Sequence, residues 1–277
     1  AASLMPEPRR QMALAQAYEM LGRTADAERL LQEAVQGWPE DLDALRNLAA
    51  FEARRGRSQE ARSLLEKILA LDGPDVAVAK TWARRLLTEL TATRGTFKDL
   101  EKALVMLREN RSADGKAAPE DLELEITLLA NRPEPAAWRR AIALLDELVA
   151  VRPMSPQQRF LRAQLLEKVG MWDEARSELM TLVAGRTTPP GQVAMLVEKL
   201  IDHGELSNAR TWLRRLAQMA PDAAVTLALE AKMALAENDR PRAVEFARKL
   251  MPGGVVPPDS PGQLAAVGKL MEDLGFT

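Results

Sequence analysis

A Gly followed five residues later by Ala recurs at a fixed interval in this chain, and that recurrence limits the fold more than any other feature. It occurs at Gly22 and Ala27, Gly56 and Ala61, Gly170 and Ala175, and Gly204 and Ala209; Asn238 and Ala243 keep the spacing without the Gly. The steps from Ala27 to Ala61, from Ala175 to Ala209 and from Ala209 to Ala243 are each 34 residues, whereas Ala61 to Ala175 is 114, twelve more than three such periods. A period of this size marks a supersecondary unit that buries its apolar face by stacking on copies of itself. The long interval is read as two further units carrying insertions.

Within a unit, apolar residues recur at three- and four-residue steps, as in Leu14, Ala15, Tyr18 and Leu21, then Ala27, Leu30, Leu31 and Ala34. That spacing predicts two amphipathic helices per unit. The Gly between them frees the backbone for a tight turn, and the Ala lets the second helix approach the first closely. Pro39, Pro153 and Pro221 are read as ending second helices, because proline removes a donor and restricts the residue before it.

With Ala15, Gly22, Ala27, Ala34 and Pro39 at its small, turn and helix-ending positions, and Leu14 and Tyr18 at apolar ones, the first unit resembles the tetratricopeptide repeat family. The resemblance implies an all-α fold, a right-handed α-α superhelix in which antiparallel helix pairs form a solenoid and the first helices line a groove. An array over 1–252 is expected, with units near 8–41, 42–75, 76–118, 119–154, 156–189, 190–223 and 224–252. In the third unit the helices are expected over 76–91 and 100–109, and in the fourth over 119–130 and 138–151. Residues 253–277 are read as a Pro/Gly linker and one amphipathic helix over 263–274, either a cap or the start of a truncated unit.

The absence of Cys removes disulfides, zinc fingers and thiol nucleophiles, and His203 is the only histidine, so no metal set or proton relay is expected. No Gly-rich phosphate loop and no nucleophile elbow occurs, so the chain is read as non-enzymatic and without a cofactor. Because 38 basic side chains face 40 acidic ones, no global field favours nucleic acid. No run of eighteen apolar residues exists and residues 1–10 lack a basic leader, so neither direct membrane insertion nor an intact signal peptide is expected. The compartment stays open between cytosol and periplasm. The Ala-, Leu- and Arg-rich composition is a bacterial cue.

The function that the resemblance implies is a protein-interaction scaffold holding a protein or peptide segment in the groove. The alternative is a regulatory or targeting region of a larger enzyme, or of a bacterial secretion or exopolysaccharide-export assembly; self-association through the end helices is a further option. Carried onto this sequence, the groove-facing positions include Arg46, Arg54, Lys80 and Arg84, four cations on adjacent first helices. They are read either as a seat for an acidic segment or as a solvated face balanced by nearby Glu. Asn47 stands where the family often holds peptide backbone. Phe160 and Gln164 are the corresponding candidates in the fifth unit, Phe160 read either as an exposed anchor for an apolar side chain or as part of the core or inter-repeat packing. The chaperone adaptors of this family clamp a terminal Asp through residues that are replaced here by Met12, Gln16, Ala77 and Thr81, so chaperone-tail binding is disfavoured.

Overall fold

A computed structural model describes residues 7–73, 75–93, 96–185, 188–250, 268 and 272. Fourteen helices and no strand occur among them. Contacts divide the chain into two compact units, Ala1–Val151 and Arg152–Thr277. The first holds α1 (Arg9–Met20), α2 (Thr24–Gly37), α3 (Leu42–Arg54), α4 (Ser58–Ala70), α5 (Val76–Ala92), α6 (Phe97–Arg108), α7 (Pro119–Ala130) and α8 (Pro135–Val149). The second holds α9 (Pro156–Lys168), α10 (Trp172–Val183), α11 (Pro190–Asp202), α12 (Leu206–Met219), α13 (Ala224–Ala236) and α14 (Arg240–Lys249). In each unit every helix packs on the next, and the pairs α1·α3, α3·α5, α5·α7 and α11·α13 also touch, so first helices lie beside first helices. No helix among the described residues is long and apolar enough to cross a membrane.

One turn is repeated at five junctions. Gly22, Gly56, Gly170 and Gly204 have φ of 73°, 74°, 83° and 73°, and Asn238 replaces Gly at φ 61°. In this left-handed conformation the next amide turns back on the helix: Arg23, Arg57, Met171, Glu205 and Asp239 donate to the carbonyls of Tyr18, Glu52, Leu166, Leu200 and Ala234 at 2.8–2.9 Å. Orphan carbonyls of the first helix are thereby satisfied and the second helix starts in a set direction. Asn is the side chain that best tolerates this region after Gly.

Four residues into the second helix, the recurring small side chain meets the first helix. Ala27, Ala61, Ala175, Ala209 and Ala243 are completely buried. Around them Leu and Ala fill a thin layer that runs without interruption from Ala15 through Leu45, Phe51 and Ile68 to Leu90 in the first unit. A second such layer, through Leu179, Val197, Leu200 and Leu213, forms the middle of the second unit.

The irregular pairs differ from the sequence expectation at their second helices. α6 begins at Phe97 rather than near 100, because the Thr96 hydroxyl accepts from Asp99 N at 3.2 Å and so caps it. α8 begins at Pro135 rather than at 138, since proline suits the first helical position, where its missing N–H is no loss. The insertion between α6 and α7 is braced: Asn110 donates to Thr81 O at 3.2 Å and to Asp121 Oδ1 at 3.1 Å, and Arg111 reaches buried Glu125 at 3.1 Å. The tail expected over 253–277 lies outside the described residues apart from Gly268 and Glu272.

Leu in place of Ala27, Ala61 or Ala209 should destabilise the fold by about 1–3 kcal/mol through overpacking; thermal melts equal to the parent for all three would show that these alanines do not set the helix separation. Glu52 gives a pH-dependent counterpart. It is buried, burial holds its carboxyl above the usual range, and Arg57 at 3.2 Å opposes this only in part. The folded state therefore keeps this proton to higher pH than the unfolded chain does, and the stability linked to it is lost as pH rises through the folded value. Glu52→Gln should raise the melting temperature at pH 7, and the gain should vanish below the ordinary carboxylate range; a variant destabilised equally at both ends would refute this balance.

Candidate protein-binding face

The first helices of the first unit bring their polar residues onto one face, as contacts across helices demonstrate. Asn47 of α3 donates to Met12 Sδ of α1 at 3.4 Å, and the Arg54 fork of α3 closes on Glu19 of α1 with two 2.9 Å bonds. Arg46 of α3 lies over the ring of Trp82 on α5, 5.1 Å from its centroid. Arg46, Arg54, Lys80 and Arg84 thus occupy neighbouring helices, as the repeat spacing requires.

Their environments are unequal: three of the four lie beside acids, as the reading of a balanced face has it, and one does not. Arg54 is spent on Glu19, an exposed pair in high dielectric and therefore a weak one. Lys80 is mostly covered and, among the described residues, reaches Asp72 alone, at 3.4 Å; that carboxylate is 97% exposed. Arg84 is a strut of the insertion: it bonds Glu109 at 3.1 Å and Asn110 at 3.4 Å, and Asn110 in turn holds Thr81 and Asp121. Only Arg46 of the four has no carboxylate within ion-pair distance among the described residues, its guanidinium resting instead on Trp82. A ring face orients a cation without neutralising its charge.

Asn47 is exposed, and its amide also donates to Asp43 O one turn back in α3, at 2.8 Å. Phe160 takes the packed of its two readings. It is half-buried and packs against the core layer of the second unit, so it is no free anchor. Gln164, one turn further along α9, is exposed. His203 caps the end of α11, stacked on Trp172 at 3.7 Å and 3.2 Å from Glu167.

Trp82 was not among the sequence candidates for this face, although one signal could have found it. It lies 36 residues beyond Arg46, two more than the repeat, and so on the neighbouring first helix. Nothing in the period marks Asn110, which belongs to the insertion.

The geometry agrees with what comparison finds. A tetratricopeptide repeat family model matches residues 20–86, the stretch that carries α2 to α4 and most of α5. Over those residues the chain matches the tetratricopeptide repeat family, and the helix pairs on either side share its fold. The crystal structure of a tetratricopeptide repeat protein from Parabacteroides merdae is similar over 95% of this chain and 98% of that one, at 17% identity and a TM-score of 0.58. A chain in the structure of Naa15/Naa10 bound to HypK-THB is similar over 95% of this chain and 39% of its own length, at 14% identity and a TM-score of 0.51. At such identities the likeness is one of fold. No curated protein matches the sequence.

The unequal cations predict unequal mutants. Arg84→Ala should speed amide exchange through residues 110–115 by roughly tenfold, the loss of one charge-assisted bond, whereas Arg46→Ala should leave exchange there unchanged. Equal protection in both variants would remove Arg84 from its structural role.

Proposed function

We propose that this tetratricopeptide repeat chain is a non-catalytic scaffold for protein–protein interaction, and that the face made by α1, α3 and α5 holds a protein or peptide segment bearing carboxylates. The observation that carries the reading is Arg46, a half-covered guanidinium laid on Trp82 with no carboxylate in ion-pair distance among the described residues. Such a group offers a planar fork to an incoming carboxylate at little ordering cost. Lys80, on the adjacent helix, pairs with a solvent-exposed carboxylate that a partner's acid can replace. Arg54 and Asn47 border the same face. Arg84 contributes charge but is committed to the insertion.

Affinity capture with the intact chain, followed by identification of the bound protein, tests the reading. Arg46→Glu combined with Lys80→Glu should abolish capture while leaving most of the melting temperature intact, and capture by the parent chain should weaken as salt rises, because such contacts are screened over about 8 Å at physiological ionic strength. A partner retained by the double variant and indifferent to salt would move the binding surface to the second unit, where Gln164 is the exposed candidate.

A second reading makes the chain one region of a larger assembly. The likeness to a chain of the Naa15/Naa10 complex favours it, since there the similar stretch is 39% of a longer chain that is solved with other proteins.

A further inference from the structure

The fifth residue of a second helix, directly after the buried alanine in the regular pairs, makes a polar contact to the turn end of the next helix pair. In the first unit Glu28 of α2 takes a 2.8 Å bond from Arg57, Arg62 of α4 bonds the Thr91 hydroxyl at 3.2 Å, and Glu101 of α6 pairs with Arg132. In the second unit Arg176 of α10 bonds Glu205 at 2.6 Å, and Arg210 of α12 pairs with Glu237, its Nε at 3.1 Å. Five junctions thus use one place in the repeat, with partners 27 to 31 residues apart.

The signs are not uniform. Where the first unit uses an ion pair, the second helix supplies the acid and the next turn supplies the base; in the second unit both rungs run the other way. The rungs are electrostatically engaged. The Arg57 hydrogen bond draws the Glu28 carboxyl below its usual range, and although burial alone would raise Glu205, bonds from Trp172, Asn208 and Arg176 bring it down.

We infer that this ladder of polar rungs, reversed in sign between the two units, determines which helix pair can stack on which, and so guards the order of repeats against exchange within the chain or with a second copy. Repeat chains are prone to such exchange, because every hairpin offers nearly the same apolar face to every other. Stacking area does not discriminate among hairpins built from the same Leu and Ala layer, but like charges placed opposite each other do. A hairpin ending in α10 or α12, set against the turns that carry Arg57 or Arg132, would oppose two guanidinium groups. One ending in α2 or α6, set against Glu205 or Glu237, would oppose two carboxylates. Arg62 is the exception: it faces a neutral hydroxyl in its own place and would accept either acidic turn, so the rule is strongest at the four ionic rungs.

The test uses the full chain, denatured and refolded over a range of concentrations, with the dimer fraction read by light scattering. Arg210→Glu repels its own rung and becomes complementary to the turns of Arg57 and Arg132; Arg210→Gln loses the same rung without gaining that complementarity. The Glu variant should refold with several-fold more dimer than the Gln variant, and Arg210→Glu combined with Glu237→Arg should return the melting temperature to within about 2 °C of the parent. Equal dimer fractions for the Glu and Gln variants would overturn the inference, and so would a double variant that stays as unstable as Arg210→Glu, since the rung would then depend on residue identity rather than on sign.

Discussion

A first helix that ends in a left-handed residue, followed five residues on by an alanine with no exposed surface, is the constraint from which the rest of this molecule is assembled. The turn returns an amide to the helix it has just left, so the second helix begins in one direction at each of the five regular junctions. The alanine then fixes how closely that helix lies on the first. Together they turn a linear period into a repeated layer of paired helices, and such a layer can be filled with Leu and Ala, with few aromatic side chains needed. The fully buried Phe51 sits inside one of these layers rather than at the centre of a globule.

Much of this was legible in the sequence because it is periodic. Gly22, Gly56, Gly170 and Gly204 mark the turns, and Asn238 could be placed by spacing alone, since the conformation it adopts is open to few other side chains. α6 and α8 start about three residues before the positions that the repeat spacing marks, because their signals are a hydroxyl cap at Thr96 and a proline at the first helical position, neither of which recurs at that spacing. The bracing of the insertion by Asn110 and Arg111 was not legible at all. Those side chains lie outside the repeat and find partners in α5, α7 and α8.

The candidate face shows the same division in finer form. Spacing put Arg46, Arg54, Lys80 and Arg84 on adjacent helices, where they are found, but it carried no information about which carboxylates would turn towards them. Glu19 lies on α1, Asp72 beyond the end of α4, and Glu109 at the cap of α6. Each pair is decided by side-chain reach from a different element. Spacing likewise left two readings for Phe160, exposed anchor or packed side chain, because which of them holds depends on the side chains that neighbouring helices bring against it, and here it packs on the core layer of the second unit.

Charge therefore has two separate uses in this chain. Around the turns, where the second helix of one pair meets the end of the next first helix, acids and bases are matched to each other in partly buried pairs, and their protonation equilibria are shifted by that engagement. On the first helices of the first unit the pairs are more exposed, Lys80 meets its carboxylate only at 3.4 Å, and Arg46 has an aromatic ring where a carboxylate would otherwise sit. Matched pairs at a junction raise the cost of a wrong neighbour, whereas weakly matched ones on a face lower the cost of admitting a partner's acid. A repeat array needs both, because the apolar layers that hold it together are too alike to distinguish one repeat from another and too deeply covered to recognise anything outside the chain.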